Sequence, residues 1–118
     1  MYYRGIRDAG KDGNDNEVTC YAQSPDGINW TKPNLGIYTI NGTTDNNVIL
    51  AHAAPATHNF SPFLDANPNA KAGERFKAVG GTDKTGLFAF VSADGIHWKK
   101  TQEAAVFKTG VFDSQNVA

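Results

Sequence analysis

The segment Ser24-Pro25-Asp26-Gly27-Ile28-Asn29-Trp30 returns as Ser92-Ala93-Asp94-Gly95-Ile96-His97-Trp98, with five of seven positions identical and an offset of 68 residues throughout. An internal repeat of this kind means that the chain is assembled from copies of one supersecondary unit. Asp-Gly between apolar segments is a strong hairpin signal, because a tight turn needs positive φ and glycine adopts it without steric cost. The Ser and Asp side chains are suited to hydrogen-bond backbone groups across the turn. Ile and Trp then alternate with a polar residue, as in a half-buried strand. The Trp is expected to plug one unit against its neighbour, since large aromatics contribute most to burial between sheets. Sugar stacking on Trp30 or Trp98 is the functional alternative, and it ranks second because repeated residues serve a repeated scaffold.

Turn chemistry divides the remainder of the chain. Asp12-Gly13-Asn14, Asn41-Gly42, Asp65-Ala66-Asn67-Pro68 and Gly80-Gly81-Thr82-Asp83 separate strands predicted over 1–4, 17–24, 28–32, 47–50, 59–64, 75–79, 86–92 and 96–100, with a last one near Gln115. The nearest approach to a helical period, Asn67 to Glu74, is broken by Pro68 and Gly73. The fold class is therefore all-β, built from four-stranded antiparallel units. Residues 58–107 form one complete unit, residues 1–50 the end of a preceding unit with a linker, and residues 110–118 the start of another. Four-stranded repeats of this period suit the blades of a β-propeller, a ring that needs about four to eight of them. The chain starts and stops in strand-like sequence, so it reads as a fragment of about two blades. A β-sandwich would not require the internal repeat.

Composition narrows the function classes. A formal charge of −1 over 118 residues gives no electrostatic case for nucleic acid or an anionic membrane. No apolar run approaches the roughly 18 residues of a membrane helix, and no signal peptide is visible. The single cysteine, Cys20, excludes an internal disulfide. It shares a strand face with Val18 and Ala22 and reads as a small core residue, not a reactive thiol. The sequence predicts no metal site and no cofactor: 12–16 resembles the start of a calcium loop but lacks the later Gly and Glu. The Asn-x-Ser/Thr sequons at Asn29, Asn41 and Asn59 carry no functional weight, two of them lying in predicted strands.

Three segments carry a resemblance to a known group. Tyr21 to Pro33 (YAQSPDGINWTKP), His58 to Asp65 (HNFSPFLD) and Phe112 to Asn116 (FDSQN) resemble the five-bladed β-propeller glycoside hydrolases of the family 32 and 43-like superfamily. The repeated turn is also similar to the sialidase Asp-box, but one residue shorter. The resemblance implies a carbohydrate substrate, secretion or a periplasmic location, and three acidic residues on three blades around a central funnel. It further implies that the first residues of each blade's first strand face that funnel.

That register nominates His58 and Asn59 in one unit and Asp113, Ser114, Gln115 and Asn116 in the next. Asp113 is the candidate catalytic carboxylate, since glycoside hydrolysis needs paired carboxyl groups flanking the scissile bond. No second carboxylate stands at a matching position. His58 is a candidate ligand for sugar hydroxyls or a proton donor, and Asn59 and Gln115 offer amides to vicinal hydroxyls. Ser114 and Asn116 complete the substrate-binding set. The plain alternatives are a strand-entering Asp113 bonded to its neighbours' backbone, a packed His58, and amides that brace the loops. Asp65 reads as a turn former, and Arg4 as an exposed strand residue or one that reaches the axis. The activity expected is hydrolysis of O-glycosidic bonds. The alternatives are a non-catalytic propeller that binds glycan or protein, and a purely structural repeat.

Overall fold

The computed structural model describes residues 1–10, 12–113 and 115–117. It is an all-β arrangement of two antiparallel sheets. The first has the order β1-β2-β3, from Tyr2–Ile6, Glu17–Tyr21 and Val48–Leu50. The second has the order β4-β5-β6-β7, from Ser61–Leu64, Phe76–Thr82, Gly86–Ser92 and Lys99–Lys100. Two short 3-10 turns, Ala56–His58 and Ala72–Glu74, are the helical elements among the described residues, and neither could cross a membrane.

The 68-residue repeat is preserved bond for bond. In the first copy the Ser24 hydroxyl donates to Asp26 Oδ1 (2.9 Å) and accepts from the Gly27 amide (2.8 Å), and Asp26 Oδ1 accepts from the Ile28 and Asn29 amides at 2.8 Å each. In the second copy Ser92, Asp94, Gly95, Ile96 and His97 repeat these bonds at 3.0, 2.9, 2.8 and 2.8 Å. Both indole N–H groups then donate back to the turn glycine's carbonyl, Trp30 to Gly27 and Trp98 to Gly95, each at 3.0 Å. Gly27 and Gly95 hold φ of 74° and 77°, the left-handed region their position requires.

The strands flanking the turn keep the same register. Gln23 pairs with Thr31 as Val91 pairs with Lys99, each 68 residues on. Thr19 pairs with Leu50, and its equivalent Leu87 with Phe107. The return is thus 31 residues long in the first copy (19 to 50) and 20 in the second (87 to 107), so the copies differ mainly by an insertion after the turn.

Several expectations need correction. Ile28 and Asn29 belong to the turn, because the Asp26 carboxylate and the Trp30 indole wrap them around it, so the third strand of the first sheet is Val48–Leu50 instead. For the same reason the strand expected over 96–100 shrinks to Lys99–Lys100. The turn expected at Gly80 to Asp83 lies at Asp83 to Thr85, since β5 runs through both glycines to pair Thr82 with Gly86. The strand expected from Asn59 begins at Ser61, because His58 closes a 3-10 turn. Among the described residues near Gln115 there is no strand.

The core has two parts. Val18, Cys20, Val48 and Ala51 bury one face of the first sheet against Tyr3, Tyr38 and Ile40. Leu50, Ala56, Ala78 and Phe90 bury the second sheet against Phe60, Phe88 and Trp98. Leu50, on the last strand of one sheet, packs in the core of the other and so ties them together. Cys20 lies buried on the face with Val18 and Ala22, as its alternation predicts.

Trp98 joins the sheets at their outer end. Its ring stands edge-on to Phe60 (5.1 Å, 87°) and to Tyr2 of the first sheet (6.3 Å, 78°). Trp30 makes the same turn but has no such neighbours, and is 44% exposed.

Candidate functional site

β2 has two buried faces of opposite character. Because side chains alternate along a strand, Val18 and Cys20 point to the apolar core while Glu17 and Thr19 point the other way. Both are fully withdrawn from solvent, at 0% and 2% exposure. Apolar burial stabilises a strand; polar burial does so only when the groups are paired. This polar face is therefore where a function is to be sought.

Arg4 and Tyr2 on β1 lie on the same side, with Arg4 directly opposite Thr19 in the register. His58 arrives from the 3-10 turn that packs over β2. That turn is seated by Gly80 of β5: a Cβ at this position would lie 2.4 Å from the Ala56 carbonyl oxygen. The backbone can come this close because Gly80 has no side chain.

Three charged or polar groups meet there. His58 Nδ1 is 3.1 Å and 3.3 Å from the two Glu17 oxygens, and Arg4 Nη1 is 3.4 Å from Glu17 Oε1. The same Nη1 reaches the His58 carbonyl at 3.3 Å and lies 3.0 Å from His58 Nδ1. A buried carboxylate needs such partners, because leaving a charge unpaired in the interior costs several kcal/mol. Asp12, from the β1–β2 loop, brings a carboxylate oxygen within 4.8 Å of the Glu17 and His58 ligand atoms. Arg4 already supplies the positive charge at this point, and its guanidinium would repel a metal cation.

Above this triad opens a cleft of about 660 Å³, lined by Tyr2, Tyr3, Arg4, Asp12, Thr19, Thr57, His58, Asn59, Phe60, Ser61, Pro62, Asp113 and Gln115. Its wall is mixed: aromatic rings, hydroxyls, an arginine, a histidine and two exposed carboxylates. The hydroxyls of Thr19 and Thr57 are buried and have no hydrogen-bond partner among the described residues. Buried polar atoms are nearly always satisfied, so an unsatisfied pair in a polar cleft points to water or ligand in the working state.

The residues nominated from the sequence fare differently. His58, Asn59, Asp113 and Gln115 all line this one cleft, although Asp113 and Gln115 lie more than 50 residues from the other two. Asn59 turns its amide to the scaffold, accepting from the Gly81 amide at 2.8 Å and donating to the Phe112 carbonyl at 3.1 Å. It braces the segment that carries Asp113, which was the plain alternative for this residue. Asn116 is half-buried and is not among the cleft residues, and Ser114 lies outside the described residues. Asp65 forms a turn, accepting from the Asn67 amide and pairing with Lys77, as its sequence suggests.

Glu17, Asp12, Thr19 and Thr57 were not nominated. The signal for Glu17 was present: a charged residue opens a strand whose alternate positions are apolar. Asp12 stood out only as the start of an incomplete calcium-like loop and Thr57 not at all, since the folding of the loop and the 3-10 turn brings them here. Comparisons of the chain with protein-family models, with curated proteins and with solved structures find no match to any of the three.

Proposed function

We propose that the cleft binds carbohydrate, that the two sheets are neighbouring blades of a β-propeller, and that the protein hydrolyses an O-glycosidic bond. The observation that carries this reading is the cleft's mixed wall. Tyr2, Tyr3 and Phe60 supply apolar surface along its wall, while Arg4, His58 and Gln115 are placed to hydrogen-bond a sugar's hydroxyls. The bond-for-bond repeat of the turn supports the propeller, as two copies of one unit meeting across Trp98.

For hydrolysis two carboxyl groups are required, and Asp113 and Asp12 are the two that line the cleft. Asp113 would act on the glycosidic bond and Asp12 would serve as its counterpart. One observation favours a second reading, binding without hydrolysis: both residues are exposed, whereas a catalytic acid is normally kept protonated by burial.

A panel of neutral plant, algal and microbial oligosaccharides separates the two. Hydrolysis predicts new reducing ends on at least one oligosaccharide, with loss of turnover and retained binding in Asp113→Asn. Binding without product supports the second reading. A panel that neither binds nor reacts would defeat both.

A further inference from the structure

The geometry at His58 contains a conflict over one proton. Nδ1 lies within hydrogen-bond distance of both a carboxylate, Glu17, and a guanidinium nitrogen of Arg4. A carboxylate only accepts and a guanidinium only donates, so a single ring nitrogen cannot serve both. If Nδ1 were bare, its lone pair would face two buried carboxylate oxygens at 3.1 and 3.3 Å, and among the described residues Glu17 would keep its ion pair with Arg4 at 3.4 Å. If Nδ1 carries the proton, Glu17 gains a second donor. Arg4 gives up its contact to Nδ1 but keeps the His58 carbonyl as an acceptor at 3.3 Å and its ion pair with Glu17 Oε1 at 3.4 Å. The second arrangement gives the buried carboxylate its donor and leaves one donor–donor contact, Arg4 Nη1 to Nδ1 at 3.0 Å, which the half-exposed guanidinium can relieve by turning.

It also fixes the far side of the ring. Nε2 makes no hydrogen bond among the described residues, and His58 lines the cleft with its side chain 23% exposed. With Nδ1 protonated, neutral His58 must present Nε2 as an acceptor.

We propose that Glu17 is a positioning residue: its buried carboxylate holds His58 as the Nδ1–H tautomer, so that Nε2 meets a hydroxyl of the bound molecule as an acceptor. The identity of that molecule as a sugar rests on the carbohydrate reading above; the tautomer does not. The other charged groups around the ring are Arg4 on β1, Asp12 on the β1–β2 loop, and Asp83 and Asp113 beside the cleft. Among the described residues, Glu17 is the carboxylate that bonds the His58 ring, so it is the group that favours the Nδ1–H tautomer, against the Arg4 guanidinium.

The test is a long-range ¹H–¹⁵N spectrum of the uniformly ¹⁵N-labelled protein at a pH where His58 is neutral, with no ligand present. The His58 signals are assigned by their loss in His58→Gln. The expected result is a pyrrole-type shift at Nδ1 and a pyridine-type shift at Nε2, with the Nδ1–H form favoured by about tenfold or more, as a hydrogen bond to a charged acceptor implies. In Glu17→Gln the preference falls by about the same factor, because a neutral amide can turn either its oxygen or its NH₂ to the ring. His97, which meets Asp94 Oδ2 at 2.7 Å far from the change, keeps its own pattern and serves as the internal reference. An Nε2–H tautomer in the wild-type protein overturns the proposal, and so does an unchanged preference in Glu17→Gln. If Glu17→Gln does not fold, the wild-type spectrum alone still decides. The tautomer can hold while no sugar binds, which would defeat the carbohydrate reading and leave this one standing.

Discussion

Tyr2 sets its ring edge-on to Trp98, 6.3 Å between centroids, and so fastens the first strand of one sheet to the repeated turn of the other. Among the described residues no equivalent ring covers Trp30, whose turn repeats the same hydrogen bonds. The same seven-residue device therefore has two energetic roles. In the second copy it is part of the core between sheets; in the first it is a self-contained turn.

Replacing the two tryptophans by alanine should separate these roles. Trp98→Ala removes contacts with both Tyr2 and Phe60, and a cost of about 3–5 kcal/mol is expected for a large aromatic in a core. Trp30→Ala loses one hydrogen bond and a half-exposed ring, for about 1 kcal/mol. Urea unfolding of both variants checks the difference. Equal costs would mean that Trp98 is not the joint between the sheets.

Gly80 should be the most sensitive glycine for the site itself. A methyl group there meets the Ala56 carbonyl at 2.4 Å and must push away the turn that carries Thr57 and His58. Gly80→Ala should cost about 2 kcal/mol or more and perturb the amide signals of Arg4 and His58. Gly73→Ala, with open space around its Cβ, is the matched control. If both variants behave alike, the 3-10 turn is not seated on β5.

Alkaline pH should loosen the joint through Tyr2. Burial, then the neighbouring Tyr21 and Asp94, push its phenol up to about 12, from an ordinary value of about 10. Above about 10 the unfolded chain ionises this tyrosine while the folded one holds it neutral, so stability falls between about 10 and about 12. Below that window Tyr2 contributes no pH dependence. The Tyr2→Phe variant should therefore show a shallower alkaline loss of stability than the wild type. An unaltered alkaline limb would place the ionising group elsewhere.

At the acid end the turn aspartates contribute. Partial burial pushes the Asp94 carboxyl up, but the His97 ring, the His97 and Ile96 amides and the Ser92 hydroxyl together hold it well below the usual carboxylate range. Asp26 is held down by the Asn29 amide first, then by the Asn29 side chain, the Ile28 amide and the Ser24 hydroxyl. A lowered carboxyl stabilises the fold above its unfolded value of about 3.9, and this is lost as pH falls through the folded value. The wild type should thus lose stability as pH drops below about 4, with a gentler slope in Asp94→Ala. Thermal unfolding across that range measures it; identical slopes would remove the turn from the acid response.

Much of the fold was legible because its signals are local. Ser-x-Asp-Gly-Ile-x-Trp specifies a turn whose donors and acceptors all lie within seven residues, and the structure repeats it at the offset read from the sequence. What misled was the continuation: Ile28 and Ile96 look like strand residues by alternation, but the aspartate's oxygens take their region into the turn. Gly80-Gly81 looks like a turn, yet Gly80 serves a close backbone approach that no local pattern announces. The site was legible in outline, since His58, Asn59, Asp113 and Gln115 do converge. Glu17 stood out as a charge at the head of a buried strand, but its partners, like Asp12 and Thr57, depend on how loops and sheets fold together, and Asn59's bracing role depends on a partner 53 residues away.

The most direct test of the account is a map of where an oligosaccharide touches the protein, read from amide chemical-shift changes during titration with the carbohydrate panel. Changes gathered at Arg4, Thr19, Thr57, His58 and Gln115 are the predicted result. Changes centred on Trp30 or Trp98, or no saturable change with any member of the panel, would contradict a carbohydrate site in the cleft.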